Sequence, residues 1–110
     1  MKQCSTDTVG GWGVVRLGGE VDLSWSQQVR RAVLDALSAH AKVAVDLAKV
    51  SYIDSSGIAA LVEGFQSARG KGQQFILVEA SDAVLAVLRL ARLDKVFAIH
   101  ASIEDAEKAA

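Results

Sequence analysis

Four consecutive residues, Asp54-Ser55-Ser56-Gly57, hold the densest reactive chemistry in the chain: two hydroxyls and a carboxylate, followed by a glycine that lets other backbone come close. The residues before them, Val45 to Ile53, are largely apolar and β-branched, and those after them keep helical spacing, so the tetrapeptide is predicted to open a helix. A helix start leaves backbone N–H groups without partners and carries partial positive charge. Two chemistries suit such a place. In the first, Asp54 or Ser55 is the N-cap, Ser56 lies in the first turn and Gly57 permits close packing. In the second, a serine accepts a phosphoryl group whose oxygens the free N–H groups bind. That group would bring about −1.5 to −2 charges, with Asp54 and Asp22 as acidic neighbours if the turn into the first helix lies alongside. A hundredfold loss of partner affinity needs only about 2.7 kcal/mol, which a dianion forced against an apolar or acidic interface can supply.

Catalysis by either serine would need a base. The two histidines, His40 and His100, fall near the end of the first predicted helix and after the last predicted strand, and the Gly-x-Ser-x-Gly elbow is absent. A serine hydrolase is therefore disfavoured, and the chain reads as a protein that is not an enzyme. There is no Gly-x-x-x-x-Gly-Lys-Ser/Thr loop and no Gly-x-Gly-x-x-Gly fingerprint, so Gly10-Gly11, Gly18-Gly19 and Gly70-Lys71-Gly72 are read as turn formers. Cys4 is the single cysteine and cannot close an internal disulfide, and no spacing of Cys with His resembles a metal site. No cofactor and no metal are expected, and a reducing cytoplasm is the expected compartment.

The elements that must position the tetrapeptide follow from patterning. Cys4 to Leu17 predicts a β-hairpin broken at Gly10-Gly11, after which Gly18-Gly19 turns the chain into Glu20-Val21-Asp22-Leu23. Ser24 with Gln27 makes a capping box for a first helix whose Val29, Val33, Ala36 and Leu37 face a sheet while Arg30, Arg31 and Asp35 do not. Lys42 to Asp46 is a short strand. The helix after the tetrapeptide runs to about Arg69, with Ile58, Leu61, Val62 and Phe65 on its apolar stripe. Gln74 to Glu79 predicts a strand buried on both faces. A third helix from Asp82 to Ala91 carries Val84, Leu85, Val87, Leu88 and Leu90 over more than one face, which suits either a partner, a fourth helix or the C-terminal segment. Val96 to Ile99 is a last short strand, and Ser102 caps a final helix through Glu107. The expected fold is α/β: a mixed sheet of about five strands with about four helices, joined by right-handed crossovers.

The 110 residues suit one domain spanning 1–110. With 51% hydrophobic and 23% charged residues the chain can bury a core. A net charge of −1 without a basic cluster argues against nucleic acid as a partner. Met1 to Thr8 lacks the apolar core of a signal peptide, and no apolar run reaches the roughly 18 residues of a membrane helix, so no direct membrane insertion is expected.

Three segments in order resemble the STAS domain family of bacterial anti-sigma factor antagonists. They are Gly19-Glu20-Val21-Asp22-Leu23, Val45-Asp46-Leu47 through Tyr52-Ile53-Asp54-Ser55-Ser56-Gly57, and Leu93-Asp94-Lys95-Val96-Phe97. The resemblance implies that Ser56 is the phosphorylated serine, with Asp22, Asp54, Ser55 and Gly57 around it. It further implies a partner that is both serine kinase and anti-sigma factor, sequestered by the unphosphorylated domain so that a sigma factor is freed, and a PP2C-like phosphatase that resets the switch. STAS domains also occur as cytosolic subunits of lipid-transport ABC systems of the Mla type, which gives the alternative of an ABC transporter ATPase as partner.

Overall fold

The computed structural model describes residues 2–109. Strands β1 (Gln3–Val9) and β2 (Trp12–Val21) pair antiparallel across Gly10-Gly11, both at positive φ, as a tight hairpin turn requires. The chain continues through α1 (Leu23–Ala39), β3 (Lys42–Ile53), α2 (Ser55–Gly70), β4 (Gln74–Val78), α3 (Asp82–Leu90), β5 (Ala98–His100) and α4 (Ile103–Ala109). The five strands lie in sequence order β1-β2-β3-β4-β5, parallel from β2 onward. This is the expected mixed sheet with four helices.

Alternation along the strands divides the core in two. Val15, Val45 and Leu77 point to the side where Val29 and Val33 of α1, Ile58 and Leu61 of α2, and Val84 and Leu88 of α3 pack. Trp12, Val14, Ala44, Ile76 and Val78 point the other way and meet Ala106 of α4. Phe75 through Val78 are all buried, as a strand covered on both faces demands. Gly64 lets α2 approach the sheet and α1: a Cβ there would stand 2.5 Å from Val33 Cγ1 and 3.0 Å from Phe75 Cε1.

Several boundaries differ from the sequence expectation, each for a physical reason. Gly18-Gly19 does not turn the chain. β2 runs on to Val21, and the glycines sit where its register with β3 slips, Gly19 at a φ of 78°. β3 likewise extends past Asp46 to Ile53, because Val50 and Ile53 keep feeding the core. The cap of α1 is Asp22 rather than Ser24: the carbonyl of Asp22 accepts from the N–H groups of Trp25 and Ser26, and the Ser24 hydroxyl donates to the Asp22 carboxylate at 2.6 Å. Val96 and Phe97 belong to a turn, both donating backbone N–H bonds to the Leu93 carbonyl, so β5 starts only at Ala98. Phe97 is buried edge-on against Phe65, ring centroids 5.5 Å apart. Of the broad apolar face of α3, Val84 and Leu88 enter the core with Leu93 and Phe97 beside them, whereas Leu90 is 87% exposed. α4 lies over the opposite face of the sheet and does not cover it.

Candidate functional site

The site forms where β2 and β3 end together. Val21 and Ile53 are the last paired residues of these strands, and the next residue of each, Asp22 and Asp54, is the N-cap of the helix that follows. Two helix N-termini therefore lie side by side at the C-terminal end of the parallel strands. The Asp54 N–H donates to the Val21 carbonyl at 3.2 Å, which ties the two caps together.

Asp54 Oδ1 gathers three donors: the backbone N–H of Ser56 at 2.9 Å, that of Gly57 at 3.2 Å, and the Ser56 hydroxyl at 2.5 Å. The hydroxyl bond is the main cause that holds the Asp54 carboxyl below the ordinary carboxylate range; the N–H groups of Gly57, Ser56 and Leu23 add to it against a smaller desolvation cost. At neutral pH Asp54 is thus an anion that only accepts. The Ser56 proton points at it, leaving the lone pairs of Ser56 Oγ directed elsewhere. Ser55 is exposed and Ser56 half-buried. Gly57 is forced by contact: a Cβ there would stand 2.7 Å from Ile53 Cγ1, 2.8 Å from Val21 Cγ1 and 2.9 Å from the Val21 carbonyl oxygen.

Asp22 reaches the same end of the strands but bonds elsewhere. Its carboxylate takes the Ser24 hydroxyl and Lys2 Nζ, the latter at 2.9 Å, and these two contacts depress its pKa, the Ser24 bond most. Lys2 also stands 5.7 Å from the Trp25 ring centre. Asp54, Ser56 and Gly57 are thus one bonded unit, Ser55 presents its hydroxyl to solvent, and Asp22 belongs to a neighbouring Lys2–Ser24 cluster.

Beside Ser56 runs a shallow groove of about 260 Å³ between α1 and α2, bordered by Leu23, Gln27 and Arg30 on one wall and Ser56, Ala59 and Glu63 on the other. Arg30 Nε and Glu63 Oε2 close its far end at 2.7 Å. One large apolar side chain faces the serine across the groove: Leu23, at 76% exposure. Sequence reasoning missed it. The available signal was its place, one residue after the cap of α1, where a large apolar side chain has no core to enter.

Neither histidine is placed at Ser56. His40 caps the far end of α1, with its ring nitrogens 3.2 Å from the Ala36 carbonyl and from Thr8 Oγ1, and His100 ends the outer strand β5. Among the described residues, no three His, Cys, Asp or Glu side chains are grouped to hold a metal. No helix among them is long and apolar enough to cross a membrane.

With this geometry in view, comparison with known proteins is specific. A family model described as "STAS domain" matches residues 3–106. An anti-sigma factor antagonist from Mycobacterium paratuberculosis superposes with a TM-score of 0.88 at 24% identity, over 99% of this chain and 93% of that one. The anti-sigma factor antagonist SpoIIAA in its unphosphorylated form gives 0.79 at 23% identity, over 97% and 95%. The phosphorylated form of the Bacillus cell fate determinant SpoIIAA gives 0.74 at 22% identity, over 97% and 98%.

Proposed function

The chain belongs to the STAS domain family, and from that membership we propose that it is an anti-sigma factor antagonist, a binding module switched by phosphorylation of Ser56. The observation that carries the reading is the Ser56–Asp54 unit: a half-buried hydroxyl at a helix N-terminus, hydrogen-bonded to an ionised carboxylate and facing exposed Leu23 across the groove. Unphosphorylated, this surface is apolar at its rim and carries no net charge on the serine, and it binds a serine-kinase anti-sigma factor, which frees the sigma factor. On phosphorylation the γ-phosphoryl of the kinase's ATP passes to Ser56 Oγ. The Oγ–P bond forms as the bond to the ADP leaving group breaks, and the serine proton is released. The 2.5 Å donor bond to Asp54 is then gone, and a dianion stands beside the carboxylate that accepted it. The partner docked over Leu23 and the groove would have to bury that charge, so it dissociates. Hydrolysis of the phosphoester by a PP2C-like phosphatase restores the hydroxyl and the bond.

In this scheme the catalysis belongs to the partners, and the chain acts as substrate and ligand. Asp54 orients the acceptor hydroxyl, Gly57 brings the helix start against β2, and Ser55 and Asp22 border the surface. The test is to incubate the protein with its cognate kinase and ATP and to map the product by mass spectrometry. Modification at Ser56 is expected; modification confined to Ser55, or none, would sink the assignment.

A further inference from the structure

The two edges of the sheet are unlike. At one edge β5 has three residues, too few to template another strand. At the other, β1 is a seven-residue strand, Gln3–Val9, paired on one side only. Its sequence QCSTDTV holds no lysine and no proline, its register with β2 is continuous with no bulge, and its one charge, Asp7, is paired with Arg16 of β2 at 3.2 Å. Above this edge α1 turns Arg31 and Asp35 outward. They line a cleft of about 420 Å³ with Thr6 of β1 and Ala32 of the same helix. Both charges are exposed, and neither forms an ion pair among the described residues, whereas Arg30 on the adjoining face of α1 is committed to Glu63.

We propose that β1 and the Arg31/Asp35 face of α1 form a two-fold interface with a second copy of this chain. This surface is self-complementary. Two β1 strands pairing antiparallel about Thr6 set Thr6 opposite Thr6, Ser5 opposite Asp7, Cys4 opposite Thr8 and Gln3 opposite Val9, which brings no like charges together. A two-fold axis normal to the sheet keeps α1 and its copy on the same face and antiparallel. Arg31 of each copy then meets Asp35 of the other, so one surface supplies both halves of two ion pairs. Within a single helix the order Arg then Asp at i and i+4 is the less favourable one, consistent with both side chains being left for a partner. The axis also sends the two Ser56 sites to opposite ends of the assembly. Each protomer keeps its own groove open, so this inference stands apart from the phosphorylation reading.

Sedimentation equilibrium on the full chain tests it. Wild-type protein should sediment as twice the 11.6 kDa chain mass. Arg31→Glu, which sets acid against acid across the axis, should raise the dimer dissociation constant about tenfold or more. The double exchange Arg31→Asp with Asp35→Arg should restore the wild-type value, a rescue that general damage to the fold would not give. A second probe, Thr6→Lys, places a charge against its own copy at the centre of the strand pair and should also yield monomer, with circular dichroism unchanged. A wild-type protein that is monomeric into the millimolar range overturns the proposal. So does a dimer that neither Arg31→Glu nor Thr6→Lys weakens.

Discussion

Ser56 and Asp54 form a pair in which geometry and protonation are linked. The Asp54 carboxyl is held low chiefly by the Ser56 hydroxyl and then by backbone N–H groups, so its folded pKa lies below the unfolded value of 3.8. A depressed pKa contributes stability that is present above the unfolded value and is lost as pH falls through the folded one. Asp54→Asn keeps a competent cap but cannot ionise. Its stability deficit against wild type in denaturant titrations should therefore be widest at neutral pH and should shrink below about pH 4. Asp54→Ala removes the cap itself and should cost about 1–2 kcal/mol at neutral pH. Gly57→Ala tests the contact on the other side of Ser56: with the Val21 carbonyl oxygen 2.9 Å from the new Cβ, the backbone must shift, and a loss of about 1–3 kcal/mol is expected by thermal unfolding. At this scale the sequence was informative. Asp-Ser-Ser-Gly read as a capped helix start, and that is its geometry. The sequence could not say that Asp22 turns to Lys2 and Ser24, because side-chain direction at a cap depends on what the preceding hairpin brings within reach.

The elements explain why this end of the sheet is firm enough to present a serine. α2 is fixed against α1 and the sheet at Gly64, where a side chain would meet Val33 and Phe75. Gly64→Ala should push the helices apart and lower stability by about 1–3 kcal/mol, with the backbone amide shifts concentrated in α1 and α2. α3 is held by Ser81, whose hydroxyl donates to the Val50 carbonyl at 2.7 Å and accepts from the Val84 N–H. Ser81→Ala should cost about 1–2 kcal/mol and expose α3 amides to hydrogen exchange first. Helix faces were legible because their apolar period is set by contact with the sheet: Val29, Val33, Ala36 and Leu37 are all buried where the spacing put them. Strand ends were not. Gly18-Gly19 reads as a turn by composition, and only the partner strand reveals that the glycines absorb a slip in register inside β2. Phe97 looked like a strand residue, yet its burial against Phe65 is achieved from a turn, since one large ring fills the space without any ladder.

For the molecule as a whole, the order of the five strands makes the site. Sequential parallel pairing from β2 onward places every helix N-terminus at one end of the strands, and α1 and α2, side by side there, create the groove beside Ser56. The family motif was readable as a linear string, but the exposed Leu23 beside the groove was not, because exposure of that side chain is a property of the assembled site. The central claim, that charge on one hydroxyl governs partner binding, is tested most directly by titrating the proposed anti-sigma partner with three forms of the protein. These are the unmodified chain, Ser56→Ala, and a chain carrying phosphoserine at position 56. The first two should bind alike, and the phosphorylated form should bind about a hundredfold more weakly, a difference of about 2.7 kcal/mol. Equal affinity for all three forms would contradict the account.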